Sequence, residues 1–401
     1  MEKYYTRACN FYFGKTSKEK IKKKLSLPFG GSASISFDCI EIISRNSKRK
    51  INIKNINKLK LKIKKKVLFD LKNICKNKKI PGLKIKNLPI LMGVLNITPD
   101  SFSDGGKFIK TILAKRQINK LIKDGANIID IGGESTRPGA KEILQSIEWS
   151  RIKKSIKYLK TKKFFISLDT RKSYVMKKAL NFKINLINDV SGLSYDKDTI
   201  NFLNKTKLPF VLHHTKGSPK TMQINPNYKN VLLDIYDYFE EKLEKIKKKG
   251  IKHNNIILDP GIGFGKTLKH NITLINNISI FHSLGLPIML GLSRKRFIKE
   301  ISGLNDSKER LGGTISSCIY SILQGVQILR VHDINEINQG IKVFKTQTTP
   351  GPAVAELVLG FMLDIARKIT YQNNILKTGE WKKHMGKLLY GKTLGIIGQR
   401  P

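Results

Sequence analysis

The sequence predicts an α/β fold, a (β/α)8 TIM barrel, with a basic N-terminal extension and a short foreign C-terminal tail. Eight short apolar runs alternate with amphipathic segments over residues 88–345, and about 250 residues is the usual size of such a barrel. Each of the eight runs is followed by polar residues of several chemical types. A doubly wound open sheet is the competing architecture, but no complete GxGxxG follows an early strand.

The predicted strands cover residues 90–95, 128–131, 164–168, 184–187, 210–212, 256–258, 287–290 and 327–331. The first run, ILMGVL, is too short for a typical helix and suits a strand that is buried on both faces. Helical patterns lie between the strands. One example is the apolar face of Ile118, Leu121 and Ile122, which a glycine closes at Gly125.

The N-terminal extension, residues 1–87, carries Lys and Asn runs around a strand-like piece at 34–44. The stretch 58–67 alternates Leu and Ile with Lys, which suits an edge strand or a basic helix equally well. No catalytic constellation is found here. We therefore expect an accessory layer that is packed on, or tethered to, the main domain, which spans 88–345.

The composition favours a globular enzyme. Of the 401 residues, 40% are apolar, which is enough for a real core. The formal net charge of +46 would normally suggest a nucleic-acid partner. However, lysine is spread along the whole chain, and aromatic residues do not interleave with the basic runs, so nucleic acid is not expected. No stretch approaches the roughly 18 apolar residues of a membrane span.

The four cysteines, Cys9, Cys39, Cys75 and Cys318, lie far apart and lack the spacing of metal ligands. They predict a reducing compartment and no structural zinc. Residues 1–13 contain no continuous apolar segment of the kind that a secretory signal needs. We therefore expect a cytoplasmic protein.

Residues whose side chains could bind a ligand or take part in catalysis stand at the carboxyl end of every predicted strand. In chain order they are Asn96, Glu134 to Arg137, Asp169 and Arg171, Asn188 and Asp189, His214, Asp259, Ser293 to Lys295, and Arg330 and His332. A barrel gathers these ends on one face, where the active sites of this fold are built. Eight polar ends together favour an active site.

Each of these residues also has a plain structural interpretation. Asp169 and Asp259 could be helix N-caps, and Asn188 could be a turn former. Lys295 or Arg330 could be a solvated charge at the rim. His213 and His214 could be metal ligands, but no further ligand stands at metal spacing, which favours packed or hydrogen-bonded histidines.

Two loop motifs are the most specific signals: TPDSFSDGG at 98–106 and GGESTRPGA at 132–140. Both resemble signatures of dihydropteroate synthase. The resemblance continues in the family's order through SLDTRK (167–172), INDVSG (187–192), LDPGIGFGK (258–266), LSRKRF (292–297) and RVHD (330–333). It covers roughly residues 90–345. One departure lies at strand five, where the family usually has a Met-His-Met sequence and this chain reads His213-His214-Thr215.

The segment DPGIGFGK also has the appearance of a phosphate loop, because Lys266 and Thr267 follow its last glycine. The spacing is wrong for GxxxxGK[ST], since Gly261 and Gly265 are four positions apart and the motif needs five. This disfavours an ATPase.

The resemblance implies a transferase that condenses 6-hydroxymethyl-7,8-dihydropterin diphosphate with para-aminobenzoate, giving 7,8-dihydropteroate and pyrophosphate. No side-chain nucleophile is required, because the amine of para-aminobenzoate is already one. Dihydropteroate synthases are commonly homodimers, so a homodimer is expected. The implied catalytic residues are Asp169, Lys295, Arg330 and His332.

The same resemblance implies a division of the binding site. The pterin would be bound by the acceptors Asp169, Asn188 and Asp259 and by the donor Lys295. The diphosphate would be contacted by Arg330, His332 and Thr136. The walls of the para-aminobenzoate pocket would be Ser293, Phe264 and Pro138, and Arg137 is a further substrate-binding residue. Asn96 is the implied protein ligand of Mg²⁺, a hard cation that takes few protein contacts.

Two rival functions share parts of this pattern. A pterin-binding methyltransferase barrel would not need a diphosphate clamp, so the TPDSFSDGG and STRPGA loops speak against it. A basic nucleic-acid-binding protein built on an inactive barrel would have lost site residues, and these are present.

The tail, residues 346–401, follows the end of the barrel pattern. It contains an apolar helical segment at 353–369 and a strand-like segment at 393–397 that stops at Gly398. Residues 349–398 resemble a truncated piece of the cofactor domain of D-2-hydroxyacid dehydrogenases. The glycine loop and the helix that would hold the pyrophosphate do not follow, so we expect no dinucleotide binding and no independent function.

Overall fold

The structure, a computed structural model, describes residues 2–79, 82–83, 89–98, 107–135, 140–217, 221–345, 363, 366–381 and 385–388, with only the backbone of 107–110 and 343–345. No helix of this described part is long and apolar enough to cross a membrane.

An antiparallel sheet opens the chain. Its elements are β1 (Tyr5–Phe13), α1 (Gly14–Lys22), β2 (Leu27–Phe29), β3 (Ser32–Ile43), β4 (Lys48–Asn52), a 3-10 turn (Ile53–Lys58) and α2 (Leu61–Cys75). Strand β3 pairs with all three other strands, and the sheet has its own apolar core with α2. The ambiguous stretch 58–67 therefore enters a helix, with Val67 and Leu71 buried in that core.

The barrel follows. Its strands are β5 (Ile90–Asn96), β6 (Ile128–Gly132), β7 (Ile166–Asp169), β8 (Leu186–Asp189), β9 (Phe210–His213), β10 (Ile256–Asp259), β11 (Met289–Gly291) and β12 (Ile328–Val331). All neighbouring strands are parallel, and β12 pairs with β5. The backbone N–H of Leu258 donates to the carbonyl of Pro287 at 2.9 Å and brings β10 beside β11. The predicted eight-stranded α/β barrel is confirmed.

Helices separate the strands. They are α3 (Lys107–Lys123), α4 (Gln145–Thr161), α5 (Ser173–Ala179), α6 (Thr199–Thr206), α7 (Val231–Lys248), α8 (Leu268–Asn276), α9 (Arg296–Ser302), α10 (Leu311–Leu323) and α11 (Ile334–Lys345), with 3-10 turns at Leu180–Phe182, His253–Asn255 and Ile278–Leu284. Thr267 accepts a hydrogen bond from the N–H of His270 and is the N-cap of α8. The Lys-Thr pair that mimics a phosphate loop is therefore a helix start.

Some strand starts were predicted wrongly. The strands predicted at 164–168, 184–187 and 287–290 begin two residues later in the structure. Apolar residues ahead of a strand have another use here, because Phe165 packs against the apolar layer at the bottom of the barrel.

The N-terminal sheet packs on the outside of the barrel. The ring of Tyr5 meets that of Tyr236 on α7 edge-on, with centroids 5.0 Å apart. Arg45 pairs with Asp234 and Asp237 of the same helix at 2.7 and 2.6 Å. Further along, Phe29 covers the barrel residue His282 at a centroid distance of 4.6 Å. The accessory layer is thus held by aromatic contacts and exposed ion pairs.

We expect Gly325→Ala to loosen this interface. A Cβ at Gly325 would lie 1.9 Å from Phe29, and its φ of +81° also disfavours a side chain. Gly303→Ala is the matched control, because its φ is +74° but nothing lies within 4 Å. Overpacking predicts that Gly325→Ala loses about 1–3 kcal/mol more in urea unfolding than Gly303→Ala. Equal losses in the two variants would mean that Phe29 does not hold the layer.

Residues 345–401 form a separate compact unit. Its described part includes α12 (Ile369–Lys377), in which no residue is buried. The predicted segment at 353–369 lies outside the described residues except for 363 and 366–369, and the predicted strand at 393–397 lies wholly outside them.

Candidate active site

The inside of the barrel is built in layers, because alternate strand residues point inward. The lower layer is apolar and consists of Ile90, Met92, Ile128, Leu186, Val211, Ile257, Met289 and Ile328. Two residues further along their strands, the next inward positions are Val94, Asp130, Asn188, His213, Asp259, Gly291 and Arg330. Five of these seven side chains are polar, so on those strands the change from apolar to polar occurs within one inward step, at the carboxyl-terminal mouth.

Arg330 organises this polar layer. Its Nε donates to Asp130 Oδ2 at 2.6 Å, and its Nη2 donates to Asp169 Oδ2 at 2.7 Å. Asp130 is fully buried and Asp169 is 5% exposed. Burial lowers the pKa of Arg330, but the two carboxylates outweigh it and keep the guanidinium charged. Burial raises the pKa of Asp169, and the nearby Arg330 opposes that rise.

Asp130 ties the neighbouring strands together. Its Oδ1 accepts from the hydroxyl of Ser167 at 2.5 Å, and its Oδ2 also accepts from Nδ2 of Asn188 at 3.0 Å. The Asn188 amide uses its nitrogen in this contact. Its oxygen is buried and has no hydrogen-bond partner within the described structure. Such an oxygen is costly to leave unpaired and is an acceptor available to a ligand.

Asp259 ends β10, and Lys295 follows the neighbouring strand β11. Asp259 Oδ1 accepts from the backbone N–H of Gly261 at 2.8 Å, and burial raises the pKa of this carboxyl against the effect of Lys295. The amine of Lys295 donates to the carbonyl of Ile262 and lies 4.8 Å from the centre of the Phe264 ring. Burial lowers the pKa of Lys295 to about 8. The pair offers an acceptor and a donor to one ligand.

Ser293 and His332 lie together where β11 and β12 end. Ser293 Oγ is 3.1 Å from His332 Nδ1 and accepts from the backbone N–H of His332 at 3.3 Å. The next residues strengthen this link, since Arg294 Nε donates to Asp333 at 3.0 Å. A hydroxyl and an imidazole are thereby fixed beside the Arg330 strand.

A buried ion network fixes the stem of the second loop. Glu134 accepts from Lys172 at 2.8 Å and from Arg171 at 3.0 Å, and the amine of Lys172 also lies 3.0 Å from Glu148. The backbone N–H of Ile143 donates to Glu134 at 3.0 Å, which joins both ends of the loop. Burial works against the charge on Glu134, but these cations hold its pKa below the usual value.

Between the two ends of that stem lie the predicted contacts Thr136, Arg137 and Pro138, which are outside the described residues, as is the first-loop stretch 99–106. A cavity of about 230 Å³ opens beside the stem, with Glu134, Arg171 and Phe264 among its lining residues. The stem of the second loop and the segment after strand six therefore line the same cavity.

Asn96 ends β5 and pairs in register with Gly132, which in turn pairs with Asp169. No group of three or more His, Cys, Asp or Glu side chains suited to a metal occurs in the part of the chain that the structure describes. Mg²⁺ usually takes one or two protein oxygens together with substrate phosphates and water. A single amide oxygen at the mouth fits that mode and does not fit a metal cage made by the protein alone.

The two histidines of strand five are both buried. His214 Nδ1 lies 3.0 Å from the amine of Lys266, so it is the hydrogen-bonded histidine that the sequence favours over a metal ligand. His213 packs edge-on against Phe264 with centroids 4.7 Å apart. Asp169 and Asp259 are likewise not helix caps, since Lys172 and Thr267 occupy the N-cap positions of α5 and α8.

Sequence reasoning missed Asp130 and Lys266. Asp130 stands in the middle of IIDIG, a run that is buried at all five positions. A carboxylate in such a run must have a buried partner, and this was the available signal. Lys266 was noticed as the end of the LDPGIGFGK motif and for its likeness to a phosphate loop, but no role was assigned to it. Its amine donates to the carbonyl of Phe264 at 2.8 Å and lies 3.0 Å from His214 Nδ1.

Comparisons with known proteins agree with this geometry. The family described as Pterin binding enzyme matches residues 92–332, more than half of the chain. The chain is 39% identical to the dihydropteroate synthase of Escherichia coli (strain K12) over 256 residues, which cover 64% of this chain and 90% of that relative.

Two solved structures are similar in fold. The dihydropteroate synthase of Yersinia pestis with a sulfonamide drug complex gives a TM-score of 0.62 at 36% identity, covering 66% of this chain and 96% of that chain. The enzyme of Xanthomonas albilineans in complex with 7,8-dihydropteroate gives a TM-score of 0.60 at 30% identity, covering 67% of this chain and 97% of that chain.

Proposed function

The chain belongs to the pterin-binding enzymes as a member of the dihydropteroate synthase family, and from that premise we propose how its own residues divide the reaction. A dihydropteroate synthase is a transferase that condenses 6-hydroxymethyl-7,8-dihydropterin diphosphate with para-aminobenzoate, giving 7,8-dihydropteroate and pyrophosphate. The C–O bond between the pterin methylene carbon and the diphosphate breaks, and pyrophosphate leaves with the electron pair. The amine nitrogen forms the new C–N bond and loses one proton.

The polar layer of the barrel is the pterin site in this proposal. The pterin presents a guanidine-like edge of N–H donors, which calls for acceptors in a dry pocket. Asp169, Asn188 and Asp259 offer such acceptors, and the unpaired amide oxygen of Asn188 is the observation that carries the assignment. The amine of Lys295 would move from the Ile262 carbonyl to the pterin carbonyl and ring nitrogen.

Arg330 and His332 would receive the diphosphate, together with Thr136. Arg330 has five N–H donors, and its described contacts use Nε on Asp130 and Nη2 on Asp169. The remaining N–H groups of the guanidinium would be available to donate to the diphosphate. His332 stands two residues beyond Arg330, held by Ser293. Positive charge placed where pyrophosphate departs is the main electrostatic contribution to catalysis.

Para-aminobenzoate would bind against Phe264 and Ser293, with Pro138 and Arg137 arriving from the second loop. The ion network at Glu134 supports this role, since it holds both stems of that loop beside the cavity near Phe264. Closure of the loops would exclude water from the cation that forms on the pterin methylene.

Asn96 would hold Mg²⁺ through its amide oxygen. When bound, the ion neutralises charge on the departing pyrophosphate. Homodimerisation stays an expectation from the family, and the spacing of the cysteines supports the cytoplasm as the compartment. No observation favours the rival methyltransferase interpretation.

We expect Asn96→Ala to raise the Mg²⁺ concentration needed for half-maximal product formation by at least about ten-fold, since even outer-shell changes weaken metal sites by 10–100-fold. The measurement is 7,8-dihydropteroate by mass spectrometry across a Mg²⁺ titration, with metal affinity of the pterin diphosphate complex measured by calorimetry. Asn127→Ala is the control, because Asn127 caps the backbone N–H of Leu91 at the opposite end of the strand. An unchanged Mg²⁺ requirement in Asn96→Ala would remove Asn96 from the metal site.

A further inference from the structure

We propose that His213 is an additional pterin-recognition residue, whose Nδ1 accepts a hydrogen bond from a ring N–H or the amino group of the bound pterin. The proposal rests on the proposed function and adds a contact from strand five, where this chain departs from the family's usual Met-His-Met sequence.

The position of His213 follows from the barrel geometry. Val211 belongs to the apolar layer inside the barrel, so His213, two residues on, points into the same interior one layer closer to the mouth. It pairs in register with Asp259, and its Nε2 lies 4.0 Å from Asp259 Oδ2. The side chain thus points into the barrel interior beside Asp259, on the strand next to that of Asn188, and it is 2% exposed.

His213 Nδ1 is a buried nitrogen without a hydrogen-bond partner within the described structure. The carbonyl of Val190 is near enough to affect the ring slightly, but no contact meets hydrogen-bond geometry at Nδ1. The amide oxygen of Asn188, on the adjacent strand, is unpaired as well. Asn188 is in register with Val211, so His213 stands one inward position nearer the mouth on the neighbouring strand. Two unpaired polar atoms at inward positions of neighbouring strands indicate a polar ligand in this part of the barrel.

The surroundings fix both the ring and its tautomer. Phe264 packs on one side, and a Cβ at Gly261 would come within 2.9 Å of Cε1, so the imidazole has little room to turn. Burial and the cations Lys266, Lys295 and Arg330 hold the pKa of His213 well below its usual value, so the ring is neutral. The carboxylate beside Nε2 favours the proton on that nitrogen. Nδ1 is then an acceptor, which suits the donor-rich edge of a pterin.

His213→Met tests this, because it keeps an elongated side chain of similar bulk and removes the ring nitrogens. His213→Asn is the rescue variant, since its amide can place a polar atom near the position of Nδ1. His282→Met is the matched control: His282 is also fully buried and both its ring nitrogens lack hydrogen-bond partners among the described residues, but it packs under Phe29, outside the barrel mouth.

The readouts are the Kd of 6-hydroxymethyl-7,8-dihydropterin by calorimetry and the KM values of pterin diphosphate and para-aminobenzoate. We expect His213→Met to raise the pterin Kd and KM by roughly ten-fold, the loss of one net hydrogen bond, with the para-aminobenzoate KM unchanged. His213→Asn should recover part of this loss, and His282→Met should leave all three constants unchanged. An unchanged pterin Kd in His213→Met, or equal rises in both KM values, would overturn the proposal.

Turnover and the pterin Kd distinguish a failure of the proposed function from a failure of the role of His213. A wild-type protein that binds pterin without turnover would contradict the proposed function, while the Kd comparison would still decide the role of His213. Normal turnover with the same pterin Kd in wild type and His213→Met would contradict only the role of His213.

Discussion

Arg330→Met is expected to abolish turnover and to destabilise the barrel. The substitution leaves Asp130 and Asp169 buried without the cation that lies within 2.7 Å of both. Breaking a buried ion pair from one side costs about 3–5 kcal/mol, because an uncompensated charge stays behind. Loss of a preorganised donor at the departing charge costs a further factor of about 10²–10³ in kcat. Urea unfolding and pyrophosphate release measure the two effects.

Arg294→Met is the matched control for this variant. Arg294 pairs with Asp333 at the rim, and its side chain is 29% exposed. Partly exposed pairs of this kind contribute about 0–1 kcal/mol, so stability should fall little. Arg330→Lys should recover part of the stability but not the rate, because lysine cannot bridge two carboxylates with a planar fork. If Arg330→Met unfolded at the same urea concentration as the wild type, the ion pairs of Arg330 with Asp130 and Asp169 would not contribute to stability as proposed.

Lys295→Met is expected to lower activity without lowering stability, in contrast to Arg330→Met, which should lower both. In the proposed site the amine of Lys295 donates to the pterin, so its removal should lower kcat/KM for pterin diphosphate by about 10²–10³-fold. No carboxylate lies within ion-pair distance of it among the described residues, and burial disfavours its charge. The free energy of unfolding at pH 7 should therefore be unchanged or higher in Lys295→Met. The exposed Lys299→Met, one turn further along α9, is the control for loss of a lysine.

The pH dependence of Lys295 gives a second test. Its pKa falls from 10.5 to about 8 on folding, so between these values the unfolded chain holds a proton that the folded chain has released. Stability therefore rises with pH through this window, and the penalty for burying the charge is fully present below pH about 8. In contrast, kcat/KM for pterin diphosphate should fall as pH rises through about 8, because the donor loses its proton. A pH profile with no descending limb above 8 would argue against a charged donor.

The barrel could be predicted from sequence because its signals are local. Each strand is a short buried run, and each run ends in residues such as Asp259 or Lys295 that a simple connection does not need. What could not be predicted were the long-range partnerships. Asp130 and Arg330 are 200 residues apart in sequence, and the local sequence around each does not identify the other as its partner.

The N-terminal layer shows a different limit. Alternating Leu, Ile and Lys at 58–67 fitted two structures, and the choice was made by tertiary packing, which buries Val67 and Leu71 of α2 against the sheet. The unpaired Nδ1 of His213 could not be predicted from the sequence either. A pair of adjacent histidines gives no sign that one meets Lys266 and that Nδ1 of the other has no hydrogen-bond partner among the described residues.

Pyrophosphate release by the full chain, with pterin diphosphate and Mg²⁺ present and para-aminobenzoate added or withheld, tests the central claim most directly. We predict release that depends on para-aminobenzoate, is accompanied by 7,8-dihydropteroate, and is lost in Asp169→Ala. Release at the same rate without para-aminobenzoate, or no release by a folded protein that binds pterin, would contradict a dihydropteroate synthase with the site described above.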